Sequence, residues 1–178
     1  MANKLLSRDI PTGSKILVDT NIWQYLYGIQ ASHADPGYSD VFAQLLTNNN
    51  ILYVNPQIIS EFINLNVRLA YKQELKDRNI RSYDYAFKRD FEKSPKFELY
   101  YDSAIGTAKE DILKNAKLTC PNNEKVLYPL ESHHLLDFND EIILHDAVEN
   151  HLAILTHDKD YGDYPGNINI YRLFWSKR

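Results

Sequence analysis

Four short apolar runs along the chain predict buried β-strands. Each run is nearly continuous rather than alternating, which is typical of strands that are covered on both faces of a parallel sheet. We therefore interpret these runs as buried strands. The four runs are Ile16–Val18, Ile51–Val54, Ala153–Leu155 and Ile168–Tyr171.

Segments with helical spacing of apolar residues lie between these runs. In "NPQIISEFINL", Asn55 is the predicted N-cap and Pro56 is the first helical residue. In "FNDEIILHDAVENH", Asn139 is the predicted N-cap, Asp140 lies in the first turn and Asp146 is expected to face solvent. Strands that alternate with helices predict an α/β fold with a mainly parallel sheet.

Residues 66–118 interrupt this alternation, because no strand is predicted within them. The segments "SYDYAFKRDFEK" and "SAIGTAKEDILKNAKL" have the character of helices and are separated by Pro95. We interpret 66–118 as a helical insertion within a single domain that spans residues 1–178. The next segment, "TCPNNEKVLYPLESHH", is interpreted as a loop.

Composition narrows the class of protein. The chain has a net charge of −4, a single cysteine and no apolar run that approaches the length of a membrane span. One cysteine excludes a disulfide framework and a zinc site built from paired cysteines. We therefore expect a cytoplasmic protein without a membrane partner, and the acidic balance does not indicate a generic nucleic-acid-binding domain.

Four acidic residues are predicted to meet at one edge of the sheet. Asp19 and Asp158 each follow an apolar strand, Glu61 lies in the second turn of the helix after the second strand, and Asp140 opens the helix before the third. Ligands of open parallel sheets bind outside the carboxyl ends of the strands, which is the edge these residues share. Four carboxylates there would repel one another unless a cation neutralised them, and oxygen ligands suit Mg²⁺ or Mn²⁺.

Three segments carry a resemblance to a known family. In order along the chain, "ILVDTNIW", "NPQIISEFINL" and "NDEIILHDAVENHLAILTHDKDY" resemble the motifs of the PIN-domain family of metal-dependent ribonucleases, which includes the VapC toxins. The resemblance covers about the first 65 residues and the last 40, and residues between them match no motif of the family. The matching residues are Asp19-Thr20-Asn21, Glu61, Asp140 and Thr156-His157-Asp158.

The resemblance implies a three-layer α/β/α sandwich and a Mg²⁺- or Mn²⁺-dependent endoribonuclease that acts on single-stranded RNA. The implied reaction is in-line attack of water on a phosphodiester, which leaves a 5′-phosphate and a 3′-hydroxyl. Structured RNA, a small antitoxin protein and a second copy of the chain are further candidate partners. The implied catalytic and metal-binding residues are Asp19, Glu61, Asp140 and Asp158, supported by Thr20, Asn21 and Thr156.

Asp160, two residues beyond Asp158, is expected to be an auxiliary ligand or a loop cap.

Two other hypotheses remain open for the chain as a whole. A phosphatase of the haloacid-dehalogenase type also begins with an apolar strand that ends in Asp, but it expects a second Asp where this chain has Asn21. A PIN-shaped protein without catalysis would cleave no RNA under Mn²⁺ and would still bind it after an Asp19→Asn substitution.

Residues 68–96 contain nine Lys or Arg residues against five acidic ones, with aromatic residues interleaved. Basic and stacking groups together suit single-stranded nucleic acid, which gives the hypothesis that this segment guides RNA to the acidic edge. The alternative is a solvated helix surface whose aromatic residues pack inward. The residues proposed to contact RNA are Arg81, Lys88 and Arg89.

Overall fold

The computed structural model describes residues 1–29, 35–121 and 136–175, and is built around a six-stranded sheet. Every pairing between neighbouring strands is parallel. The strand order across the sheet is β1-β6-β5-β2-β3-β4. The strands are β1 (Asn3–Leu6), β2 (Lys15–Val18), β3 (Ile51–Val54), β4 (Ala116–Leu118), β5 (Ala153–Leu155) and β6 (Asn169–Arg172).

In the described part of the chain, five longer helices connect the strands. The chain moves from β2 through β3 to β4 in one direction across the sheet and returns from β4 to β5 in the other. Right-handed crossovers in opposite directions put helices on opposite faces, so the fold is the predicted three-layer α/β/α sandwich. The helices are α1 (Thr20–Tyr27), α2 (Tyr38–Thr47), α3 (Pro56–Asp77), α4 (Pro95–Thr107) and α5 (Phe138–Glu149).

Shorter helical turns complete the described structure. A π-helical turn, Ala108–Ile112, and a final turn, Leu113–Asn115, lead from α4 into β4. Single 3₁₀ turns lie at Ser7–Asp9, Phe91–Lys93 and Asp160–Asp163. No helix in the described part of the chain is long and apolar enough to cross a membrane. Most of the segment "TCPNNEKVLYPLESHH" lies outside the described residues.

The central strands explain the apolar runs of the sequence. Ile16, Leu17 and Val18 of β2 are fully buried, as are Ile154 and Leu155 of β5, so consecutive side chains on both faces of the sheet avoid water. Burial on both faces is what a parallel sheet between two helical layers requires. The predicted α/β class with a parallel sheet is confirmed, and its strongest sequence signal comes from this centre.

Two strands at the edges of the sheet were not predicted. β1 has the sequence NKLL with two exposed residues, and β4 is only three residues long with Leu118 largely exposed. An edge strand has one neighbour and less covered surface, so it lacks a continuous apolar run. The prediction that 66–118 contains no strand is therefore wrong, because Ala116–Leu118 pairs with β3.

The segment "SYDYAFKRDFEK" is not a helix, contrary to the prediction. It consists of turns and one 3₁₀ turn, and Asp90 Oδ2 accepts a bond of 2.7 Å from the backbone N–H of Ala86. Three of its four aromatic side chains, Tyr85, Phe87 and Phe91, pack with Tyr71 of α3 in a second, smaller core. The guanidinium of Arg68 lies 3.6 Å above the ring of Phe87. Packing rather than helical periodicity thus explains the spacing of these aromatic residues.

Candidate active site

Asp19 is fixed at the carboxyl end of β2 by three hydrogen bonds. It caps α1, since its Oδ1 accepts a bond of 2.7 Å from the backbone N–H of Thr20. Its Oδ2 accepts bonds of 2.6 Å from Asn21 Nδ2 and of 2.6 Å from the hydroxyl of Thr156. The residue is only 4% exposed. The short stretch Asp19-Thr20-Asn21 therefore holds a buried carboxylate in one orientation.

The same hydrogen bonds join the ends of the neighbouring strands β2 and β5. Asn21 Nδ2 also lies 3.1 Å from Thr156 Oγ1, and Asn21 Oδ1 accepts a bond of 2.9 Å from the backbone N–H of His157. The hydroxyl of Thr156 accepts a further bond of 2.9 Å from the N–H of Asp158. Both polar atoms of Asn21 connect the two strand ends. Asn21 stands at the position where a phosphatase of the haloacid-dehalogenase type would need a second Asp.

Glu61 reaches Asp19 through Thr20. The hydroxyl of Thr20 donates a bond of 2.8 Å to Glu61 Oε2, which connects the start of α1 with the second turn of α3. Asn55 caps α3, its Oδ1 accepting a bond of 2.9 Å from Ile58 N–H, and Pro56 follows in the first turn. The predicted start of this helix is confirmed, and it determines which residue of the second turn faces the site.

Asp140 is contributed by the first turn of α5. Asp137, not Asn139, caps this helix, because Asp137 Oδ1 accepts bonds of 2.9 and 3.0 Å from the N–H groups of Asn139 and Asp140. The predicted cap is therefore wrong by two residues; the helix begins earlier, at Phe138, and a carboxylate takes the cap. The hydroxyl of Tyr161 donates a bond of 3.0 Å to Asp140 Oδ1.

A role for Tyr161 was not predicted from the sequence. The residue is fully buried three positions after Asp158, in the 3₁₀ turn Asp160–Asp163. Burial raises the pKa of its hydroxyl well above the usual value, and the charges of Asp19 and Asp140 raise this pKa further. Tyr161 therefore remains a hydrogen-bond donor. A Tyr shortly after the last acidic motif, in "HDKDYGDY", is the only sequence signal that could have indicated it.

The carboxylates of Asp19, Glu61, Asp140 and Asp158 come from separate elements and act on one another electrostatically. Burial raises the pKa of Asp19 to about 7 against the opposing effect of the Thr156 hydrogen bond, and the charges of Asp140 and Glu61 raise it further. Burial also raises the pKa of Asp140 to about 6, with added contributions from Asp137, Asp158 and Glu61. Near neutral pH Asp19 is therefore only partly ionised unless positive charge is supplied.

The donor types at this edge fit a hard divalent cation, since all of them are oxygens. Within residues 1–29, 35–121 and 136–175, however, no three His, Cys, Asp or Glu side chains lie in an arrangement that could hold one ion. The carboxylates Glu61, Asp140 and Asp158 are each only partly buried. To bind one shared ion, the side chains of Glu61, Asp140 and Asp158 would have to move towards Asp19, which its own hydrogen bonds hold in place.

Asp160 contributes its backbone to the site region. Its N–H donates a bond of 2.8 Å to Asp158 Oδ1, and its own side chain is exposed. This bond closes the turn that follows β5. The side chain that caps this turn is that of Asp158, so both roles expected for the Asp160 side chain, loop cap and auxiliary ligand, stay predictions.

Asp146, expected to face solvent, is instead completely buried. Its Oδ2 accepts a bond of 2.9 Å from Asn55 Nδ2, and its Oδ1 accepts bonds of 3.2 Å from the Thr119 hydroxyl and 2.8 Å from Asn150 Nδ2. The expectation was wrong because a polar residue can lie on the buried face of a helix when neighbouring elements supply donors. Asp146 connects α5 to the start of α3 and the end of β4.

The proposed RNA-contacting residues are exposed on the turns after α3. Arg81 forms an ion pair of 3.1 Å with Asp84, and Arg89 forms one of 2.8 Å with Asp90. Lys88 makes no ion pair with any residue that the structure describes. Among the interleaved aromatic residues, Tyr83 is 85% exposed while the others pack on the second core.

Comparison with known proteins supports the fold. No protein-family model matches the chain, and no curated protein matches it. The chain is similar to one in the crystal structure of VapBC2 from Rickettsia felis bound to a DNA fragment from their promoter, with a TM-score of 0.54 and 16% sequence identity. The similarity covers 88% of this chain and 98% of that one. At this identity the similarity is one of fold, and it agrees with the PIN-like architecture expected from the motifs.

Proposed function

We propose that the chain is a Mg²⁺- or Mn²⁺-dependent ribonuclease that hydrolyses phosphodiester bonds of single-stranded RNA. The observation that carries this proposal is the electrostatic coupling of carboxylates from separate elements around Asp19, whose pKa burial raises to about 7. Buried carboxylates that repel one another are characteristic of sites that a cation neutralises. The order of the motifs along the sequence supports the same activity.

In this proposal three of the four carboxylates have a side chain that orients them, and the fourth, Asp158, accepts a bond from the backbone N–H of Asp160. Thr156 and Asn21 hold Asp19, the Thr20 hydroxyl holds Glu61, and Tyr161 holds Asp140. The bound ion would supply Lewis-acid activation of water and of the phosphoryl group. The residues proposed to hold it are Asp19, Glu61, Asp140 and Asp158.

Cleavage of RNA tests the proposal directly. Purified wild type is incubated with a mixed pool of single-stranded RNA in Mg²⁺, in Mn²⁺ and in EDTA, beside Asp19→Asn. We expect cleavage that needs the divalent ion and falls by at least about 100-fold in Asp19→Asn, since loss of a ligand exceeds the effect of losing a supporting residue. Asp102→Asn, at an exposed position of α4, is the control and should cleave like wild type.

The ends of the products test the chemistry. Attack of water in line with the leaving 3′-oxygen predicts fragments with a 5′-phosphate and a 3′-hydroxyl. Equal activity of Asp19→Asn and wild type would contradict the proposed site. Tight RNA binding by the wild type without cleavage in Mn²⁺ would instead favour the non-catalytic PIN-shaped protein.

We propose that Arg81, Lys88 and Arg89 guide RNA to the site, because their side chains are exposed on one series of turns. Changing all three to Glu should weaken binding and reduce the slope of log affinity against log salt by about 2 for three lost contacts. Lys88→Glu and Lys15→Glu form a matched pair, since Lys15 is exposed at the amino end of β2, away from the carboxyl edge. Equal effects in this pair would show only a dependence on net charge.

We further propose that the chain is the toxin of a toxin–antitoxin pair, with a small antitoxin as its partner. The support is the fold similarity to a chain of a VapBC2 complex. Induced expression in a bacterial host should stop growth with wild type but not with Asp19→Asn at equal protein level. Co-expression of a small protein from the adjacent reading frame should restore growth. Equal growth with both variants would contradict the toxin role.

A further inference from the structure

Four aromatic side chains, Tyr25, Tyr38, His157 and Phe174, form a connected cluster beside the carboxylates, which we call the aromatic shelf. His157 lies between Thr156 and Asp158, and its backbone N–H is bonded to Asn21. Tyr25 follows Asn21 by one turn of α1, on the same side of the helix. Two of its four members, Tyr25 and His157, therefore belong to the chain segments that carry Asp19 and Asp158, and Phe174 joins the shelf through its contact with His157.

The rings are held by one another and by hydrogen bonds. Tyr25 is stacked on Tyr38 with ring centres 5.6 Å apart and planes at 15°. His157 meets Tyr25 and Phe174 edge to face, at 5.2 and 5.9 Å between centres. The hydroxyl of Tyr38 donates a bond of 3.1 Å to the backbone carbonyl of Thr156. Tyr38 is completely buried, so the shelf has a rigid base.

Phe174 is the exposed ring of the shelf. It is 54% exposed, whereas Tyr25 and His157 are half-buried. Phe174 packs against His157 within the aromatic shelf, and much of the rest of its ring surface is exposed to water. The exposed face of such a ring can bind a flat ligand, because it does not pack in the core.

A buried positive charge lies next to the shelf and packs on the ring of Trp175, 4.8 Å from its centre. Arg172 is 6% exposed, and its Nε and Nη2 donate bonds of 3.1 and 2.6 Å to the carbonyl of His157. Its guanidinium carbon lies 5.9 Å from the centre of the Phe174 ring. Among the described residues, no carboxylate pairs with it and its Nη1 has no hydrogen-bond partner. The charge is complementary to a polyanion that approaches the acidic edge from this side.

We propose that the exposed face of Phe174 stacks on a base of single-stranded RNA, next to the phosphodiester that lies at the carboxylates. This inference rests on the proposed function and names the part of its substrate that the shelf contacts. Stacking on an aromatic ring is available to every base, because every base has a π-face, so it predicts affinity with little sequence preference. Unpaired bases of RNA are commonly bound in this way.

A fluorescent base reports on the contact directly. A single-stranded RNA containing 2-aminopurine is titrated with protein in a Ca²⁺ buffer at low salt, with the RNA checked on a gel to be intact. We expect wild type to quench 2-aminopurine at one or two positions of the RNA. Phe174→Ala should abolish this quenching and weaken binding by about fivefold or more. Phe174→Trp should restore both.

Two controls separate stacking from other effects of the substitution. Tyr101→Ala removes another exposed ring, on α4 and outside the segment proposed to guide RNA, and should leave the quenching unchanged. An RNA of the same length with an abasic residue at the quenched position should bind wild type and Phe174→Ala equally. Equal quenching by wild type and Phe174→Ala would overturn the proposal, as would an equal loss of affinity by Phe174→Ala on the abasic RNA.

The outcome is distinguishable from that of the proposed function. Loss of quenching in Phe174→Ala together with no cleavage by wild type would support the base contact and contradict hydrolysis. Cleavage that depends on Asp19, with no effect of Phe174→Ala on quenching or affinity, would support hydrolysis and overturn the base contact. A wild type that binds no single-stranded RNA would overturn both.

Discussion

Asp19 and Asp146 are both buried carboxylates, yet they have different surroundings. Each accepts three hydrogen bonds from backbone or neutral side-chain donors, and burial raises the pKa of each. Asp19 also experiences the charges of Asp140 and Glu61 at the carboxyl edge of the sheet. The donors around Asp146 are the side chains of Asn55, Thr119 and Asn150, and the charge that raises its pKa further is that of Glu149 on the same helix. Asp146 thus joins three elements, while Asp19 belongs to a group of interacting charges.

The comparison shows what identifies a candidate site in this fold. Burial and an altered pKa are found at both carboxylates, so neither property alone separates chemistry from structure. The difference lies in whether several carboxylates from separate elements raise one another's pKa. That coupling costs free energy in the folded protein and has no structural benefit, whereas the bonds of Asp146 stabilise the fold.

The largest effect on stability is expected at Asp146. Asp146→Ala would leave the buried donors of Asn55, Thr119 and Asn150 without acceptors, which costs on the order of 3 kcal/mol of unfolding free energy. Thermal unfolding should then occur about 10 °C lower for a chain of this length. Asp102→Ala, exposed on α4, should change the unfolding free energy by less than about 0.5 kcal/mol. An unchanged Tm in Asp146→Ala would mean that its bonds do not hold the elements together.

A smaller effect of opposite sign is expected at Asp140. Its folded pKa of about 6 exceeds its ordinary value of 3.8, so the folded state binds the proton more tightly and loses stability as pH rises through this interval. Asp140→Asn keeps an oxygen for Tyr161 and removes the repulsion. In EDTA at about pH 8 it should raise the unfolding free energy by about 1 kcal/mol, because water screens this half-exposed group. At about pH 4 both proteins should unfold at the same temperature.

Thermal unfolding also compares Asp140 with Asp146 in one experiment. Thermal scans at both pH values, without divalent ions, measure the change in Tm for Asp140→Asn and for Asp146→Asn. The first variant should gain stability only at the higher pH. A loss of stability in Asp140→Asn at high pH would show that the carboxylate is held by favourable interactions, as Asp146 is, and not repelled by its neighbours.

The smallest effect is expected at Asp160. Its contribution to the site is the backbone N–H that bonds Asp158, and this group is present in any non-proline variant. Asp160→Asn should therefore change RNA cleavage by less than about twofold, where a lost ligand would cost far more. A loss comparable to that of Asp19→Asn would identify Asp160 as a ligand.

The sequence could indicate the centre of the fold and the positions of the four carboxylates. Continuous apolar runs marked β2, β3, β5 and β6, and each carboxylate stands within three residues of a strand end or within the first two turns of a helix. Such positions follow from local pattern, because strand ends and helix starts of a parallel α/β sheet share one edge. The bonds of Thr20 to Glu61 and of Thr156 to Asp19 then join residues 41 and 137 positions apart.

Features that depend on tertiary packing were not visible in the pattern. The edge strands β1 and β4 lack apolar runs because one side of each is free. The turns around Phe91 have aromatic spacing that imitates a helix, but a second core on α3 fixes them. Asp146 is polar on a buried helix face, which only its distant partners Asn55 and Thr119 explain.

The most direct test of the central claim is a calorimetric titration with Mn²⁺ at about pH 7.5 of wild type, Asp19→Asn and Asp146→Asn. All three proteins are first checked by thermal unfolding to be folded at the temperature of the titration. We predict that wild type and Asp146→Asn bind Mn²⁺ with affinities within about threefold, and that Asp19→Asn binds at least tenfold more weakly, about 1.4 kcal/mol. Equal binding by Asp19→Asn and wild type, or no binding by wild type, would contradict a cation site at the carboxyl edge of the sheet.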